Sequence, residues 1–110
     1  MAIEHLAPGA SADLRPLGPR LKDTVSTALF KSPELEVMRL VLRAGQTIPQ
    51  HAAPGEMTIL CLEGELEVRL RDAVHPLQAG HLMRLLRGAT YELHAVEDCS
   101  LLVTIAMPPD

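Results

Sequence analysis

From Glu65 to Arg71 the chain alternates without a break: Leu66, Val68 and Leu70 are apolar, and Glu65, Glu67, Arg69 and Arg71 are charged. Successive side chains on a strand point to opposite faces, so this run reads as a strand with one buried and one wetted face. The period recurs in ELEVMRLVLR (34–43), where Met38, Leu40 and Leu42 share one face and Val37, Arg39 and Val41 the other. DTVSTALF (23–30) is rich in β-branched residues, and AVHPL, TYELHAV and SLLVTIAM add further strands. EMTILCLEG meets ELEVRLR at Gly64, which reads as a hairpin. HLMRLLR (81–87) carries leucines at helical spacing, but so short a helix is marginal, and it too reads as a strand. Strands at such short intervals, separated by turn signals, predict an all-β sandwich or barrel.

The 110 residues suffice for one core. Pro8, Pro16 and Pro19 with Gly9 and Gly18 make residues 1–22 an extended arm, leaving 23–107 for the barrel. A net charge of −4 disfavours a nucleic-acid partner, whose binding depends on neutralising phosphates. No apolar stretch approaches the ~20 residues of a membrane span, and the start lacks a signal-peptide pattern. Cys61 and Cys99 are too few for a disulfide scaffold, so a reducing cytoplasm is the expected compartment. Phe30 and Tyr91 are the only aromatics, against 19 leucines and five methionines. Any pocket is therefore lined by flexible aliphatic and thioether groups, and ligands that need stacking are disfavoured.

Glycines frame the middle of the chain. GQTIPQHAAPGEMTILCLEG (45–64) opens on Gly45, places His51 after five residues and closes on Gly64. GHLMRLLRGATYELHAVEDCS (80–100) has Gly80 and Gly88 eight residues apart. The first segment resembles the first motif of the cupin superfamily, Gly-x5-His-x-His-x3-4-Glu-x6-Gly. The second resembles the other cupin motif, Gly-x5-Pro-x-Gly-x2-His, with Leu86 where the proline belongs. The 15 residues between Gly64 and Gly80 suit a small single-domain cupin. The resemblance covers about residues 20–107. It implies a double-stranded β-helix, or jelly-roll barrel, of the RmlC-like kind.

Metal-holding cupins use three histidines and a glutamate, donors that suit divalent first-row ions. Here His51 keeps the first position, while Ala53, Met57 and Tyr91 stand at the other three. One imidazole does not hold an ion against water, so no metal cofactor is expected. The alternative is a divalent transition metal held by His51 and Glu56, if a bulge at Pro54–Gly55 moves Glu56 inward. Met57, Cys61 and His51 would suit Cu(I), but Met57 and Cys61 lie about 13 Å apart along a strand. His94 is at odd spacing from Tyr91 and belongs to the outer face beside Glu92, and His81 to a turn.

What remains is a pocket: His51 at its rim, Tyr91 opposite, Met57, Ile59 and Cys61 along the wall, and Met38 from the neighbouring strand. The His51 imidazole and Tyr91 hydroxyl either bond each other or together hold a carboxylate or carbonyl. Arg39 either enters this cavity to meet an anion or pairs with a strand neighbour. The expected function is binding of a small, largely apolar molecule. A metal-dependent dioxygenase, isomerase or decarboxylase with rearranged ligands is the alternative. Leu60 and Leu62 make the outer face of their strand apolar, which predicts that it is covered. The resemblance implies a homodimer formed by sheet packing and exchange of the N-terminal arm.

Overall fold

The computed structural model describes residues 3–108. Ten strands follow one another: β1 (Ile3–Glu4), β2 (Thr27–Lys31), β3 (Leu35–Leu42), β4 (Thr47–Ala52) and β5 (Met57–Glu63), then β6 (Glu65–Leu70), β7 (Val74–Gln78), β8 (Leu82–Leu85), β9 (Thr90–Ala95) and β10 (Cys99–Ala106). They form a six-stranded sheet, β1-β2-β3-β10-β5-β8, and a four-stranded sheet, β4-β9-β6-β7. Every pairing is antiparallel. Leu42, Ile59, Leu66, Val68, Leu93 and Leu101 fill the space between the sheets with next to no exposure.

From β3 onward the chain changes sheet at nearly every connection, and four of those corners carry the framing glycines. Gly45, Gly64, Gly80 and Gly88 all have φ between +80° and +87°. Side chains with a Cβ rarely tolerate that region, so the spacing of the motif is the spacing of the corners. Gly64 is doubly constrained, because a Cβ there would sit 2.1 Å from the Asp98 carbonyl oxygen.

That corner corrects the expected hairpin. β5 hydrogen-bonds to β10 and β8, whereas β6 pairs with β9 and β7. A single residue between two strands leaves too little chain for a hairpin loop, so Gly64 turns the backbone from one sheet into the other. The N-terminal arm also departs from a wholly extended form: Gly18–Asp23 is a 3-10 turn with Pro19 at its start and Leu21 buried. Proline presets the φ that such a turn needs. β8 is a strand, as the short length of its apolar run predicts.

The alternation of β3 places its two faces as expected. Met38, Leu40 and Leu42 pack into the core. Arg39 points the other way and is 8% exposed. Its guanidinium donates to the Arg15 carbonyl at 2.9 Å and the Ser100 hydroxyl at 3.1 Å, and lies 3.4 Å from Glu63 Oε2. Glu63 in turn accepts the N–H groups of Leu17 at 2.9 Å and Gly18 at 3.0 Å. This cluster fastens the arm to the outer face of the six-stranded sheet. On β6, Arg69 pairs with Glu67 and, across the strands, with Glu92, forming the charged outer face read from the alternation.

Candidate functional site

β4 is the strand that positions His51, and its local sequence explains how. Pro49 lacks an N–H, which is tolerated because β4 is an edge strand bonded only to β9. The register slips between Ile48, opposite Leu93, and His51, opposite Tyr91. Three residue steps on β4 thus match two on β9, a β-bulge. In a regular strand Ile48 and His51 would face opposite ways; the extra residue turns both inward. The bulge lies at Pro49–Gln50, ahead of the histidine, and not at Pro54–Gly55.

Both residues border a cavity of about 350 Å³ between the sheets. That volume lies at the small end of the range of roughly 300–1,000 Å³ usual for small-molecule sites. Met38 and Leu40 from β3, Met57 from β5, Leu93 from β9 and Val103 from β10 supply its apolar wall. Glu36, His51 and Tyr91 supply its ionisable groups. A larger depression of about 510 Å³ is lined by Leu70, Arg71, Asp72, His75 and Thr90.

The His51 Nδ1 donates to the Pro49 carbonyl at 2.6 Å. A carbonyl only accepts, so Nδ1 carries a proton, and in the neutral form of the ring Nε2 is the acceptor. Tyr91 is half-buried, and desolvation pushes its phenol up from the ordinary value, keeping it protonated at neutral pH. The two rings are 6.1 Å apart at 31°, with no hydrogen bond between their side chains. The direct His51–Tyr91 contact is therefore replaced by a bond from His51 to its own strand, which leaves both polar ends available.

Of the residues expected on the wall, His51, Tyr91, Met57 and Met38 come together. Ile59 and Cys61 do not join them. They face inward by parity but lie deeper along β5, without exposure, and the Cys61 thiol donates to the Glu63 carbonyl at 3.4 Å. Burial raises its pKa, and that of Cys99 to about 12, so both thiols stay protonated. Glu36 is the residue the sequence reading missed. It lies two positions before Met38, on the same face of β3, so the alternation itself held the signal.

The proposed alternative ligands separate as well. Glu56 ion-pairs with Arg84 of β8 on an exposed edge and does not turn toward His51. No group of three or more His, Cys, Asp or Glu among the described residues is arranged to hold a metal ion. The four motif positions offer an imidazole, the buried methyl of Ala53, a thioether and a phenol. That donor set does not fit a hard divalent cation. Arg39 is held by Glu63 and Ser100 on the outer face, so it meets no anion in the cavity. His94 bonds Thr47 at 2.9 Å on the outer face, and His81 occupies the turn before β8.

No protein-family model matches the sequence, and no curated protein sequence is similar to it. Solved structures do match. An RmlC-like cupin from Desulfovibrio desulfuricans is 34% identical over 78% of this chain and 83% of its own, with a TM-score of 0.69. The chain belongs to the cupin superfamily. A conserved protein of unknown function from Streptococcus pyogenes superposes on this cupin with a TM-score of 0.79 at 22% identity, covering 98% and 96% of the two chains. An RmlC-like cupin from Methanocaldococcus jannaschii, described as a double-stranded β-helix, matches at 17% identity and a TM-score of 0.71 over 76% and 79%. The two sheets and their glycine corners are thus the cupin barrel.

Proposed function

We propose that this cupin binds a small, largely apolar molecule between its sheets, without a divalent metal. The observation that carries the reading is the cavity itself: a mostly aliphatic and thioether wall onto which His51 and Tyr91 converge with unused hydrogen-bonding capacity. The cavity opens to solvent beside His51, Ala52 and Pro54, so a ligand can reach its apolar wall without the sheets parting. Met38 and Met57 are unbranched and adapt to irregular ligand shapes. Calorimetric titration with 1-hexanol and with hexylammonium tests the reading. Saturable binding to one site per chain is expected, and heats no larger than dilution with both probes would refute it.

We also propose that two copies pack through the outer face of the six-stranded sheet. Leu102, Leu60 and Leu82 stand opposite one another on β10, β5 and β8, and Leu82 is 63% exposed. Glu56 and Arg84 border that row with both signs of charge, which a two-fold contact can pair reciprocally. Light scattering should give twice the chain mass and Leu82→Glu a monomer; a monomeric wild type contradicts the assembly.

A further inference from the structure

We infer that the molecule held between the sheets carries a cationic, donor-rich head and that the cavity suits a small aliphatic amine. This inference rests on the binding reading above and narrows its ligand class.

Glu36 is the only carboxylate among the twelve residues that line the cavity, and no lysine or arginine is among them. A carboxylate only accepts. The neutral form of His51, with its Nδ1–H on the Pro49 carbonyl, adds Nε2 as a further acceptor. The Tyr91 hydroxyl both donates and accepts. The ionisable side chains therefore present three acceptors and one donor, with one negative charge.

A primary ammonium brings three donors and a positive charge, which matches that set. A carboxylate would find one donor and a like charge. A neutral alcohol would satisfy one acceptor and leave the others to water. Lys31 lies 3.8 Å from Glu36 Oε2, but it is 43% exposed and does not line the cavity. Exposed pairs of this kind are weak, so Lys31 does not take Glu36 out of play. The Tyr91 ring adds a face on which a cation is favoured. The alkyl part would lie against Met38, Leu40, Met57 and Leu93.

Calorimetric titration at low salt with three six-carbon probes, hexylammonium, 1-hexanol and hexanoate, tests the inference. Hexylammonium should bind about tenfold more tightly than 1-hexanol, with hexanoate weakest, since charge-assisted hydrogen bonds are about twice as strong as neutral ones. Glu36→Gln should bring the ammonium-to-alcohol ratio close to one. Added salt should lower that ratio in the wild type, a readout that needs no variant. Equal binding of all three probes, a preference for hexanoate, or a ratio unchanged in Glu36→Gln overturns the amine inference and leaves the binding reading standing. Failure of 1-hexanol and hexylammonium alike overturns the binding reading itself.

Discussion

Strand β3 carries polar groups on both faces, and the two faces treat them differently. Outward, Arg39 meets the Arg15 carbonyl, Ser100 and Glu63, and Glu63 collects two backbone N–H groups from the arm. Inward, Glu36 shares its end of the barrel with His51 and Tyr91, none of which bonds another's side chain. The outer cluster is heavily bonded, and the Arg39 Nε is its one buried side-chain polar atom without a partner among the described residues. Saturated clusters hold structure, because removing a member leaves a charge stranded away from water. Groups that converge with spare capacity are free to meet a ligand. One strand thus separates the fastening of the arm from the candidate binding site.

The contrast breaks most visibly in stability. Arg39→Ala should cost about 3–5 kcal/mol in urea unfolding, because it leaves Glu63 half-enclosed without its counter-charge. Tyr91→Phe should cost within about 0.5 kcal/mol, since its hydroxyl bonds no described residue. If the two substitutions cost the same, the two faces are not functionally distinct.

Acid should act on the outer face. Burial alone would raise the Glu63 carboxyl, but the Leu17 and Gly18 N–H groups, the Ser100 hydroxyl and Arg39 outweigh it and hold the pKa below 4.5. A depressed folded-state pKa gives stability that is complete above 4.5 and is lost as pH falls through the folded value. Protease cleavage within residues 13–23 should therefore accelerate below that pH before the barrel unfolds. Glu63→Gln should make the arm cleavable at neutral pH and remove the acceleration. Cleavage that tracks global unfolding at every pH would show that the arm is not separately fastened.

The smallest effect belongs to the cavity. Tyr91→Phe should weaken 1-hexanol binding about three- to tenfold, the worth of one neutral hydrogen bond, without moving the urea midpoint. Unchanged affinity would remove Tyr91 from the site.

Much of this molecule could be read from its residues, and the parts that could not share a cause. Period-two alternation in 34–43 and 65–71 assigned faces, and the glycine spacing located four turns of positive φ, although Gly64 changes sheet where a hairpin was expected. Alternation says which face a residue occupies but not how deep it lies, which is why Ile59 and Cys61 were expected on the wall. β4 escaped notice because TIPQHA neither alternates nor avoids proline, and its bulge shifts the parity that would have placed His51. The Arg39–Glu63–Ser100 cluster joins residues far apart in the chain, and one sequence offers no signal for such a meeting. Glu36 was within reach, since parity with Met38 already put it on the inner face.

The most direct measurement is an NMR titration of protein labelled at its methionine methyls, with hexylammonium as the probe. Met38 and Met57 line the cavity, whereas Met83 and Met107 pack on the core outside it. A ligand between the sheets should shift the Met38 and Met57 methyls together and saturably, with Met83 and Met107 nearly still. Shifts confined to Met83 or Met107, or no shift at saturating probe, would contradict it.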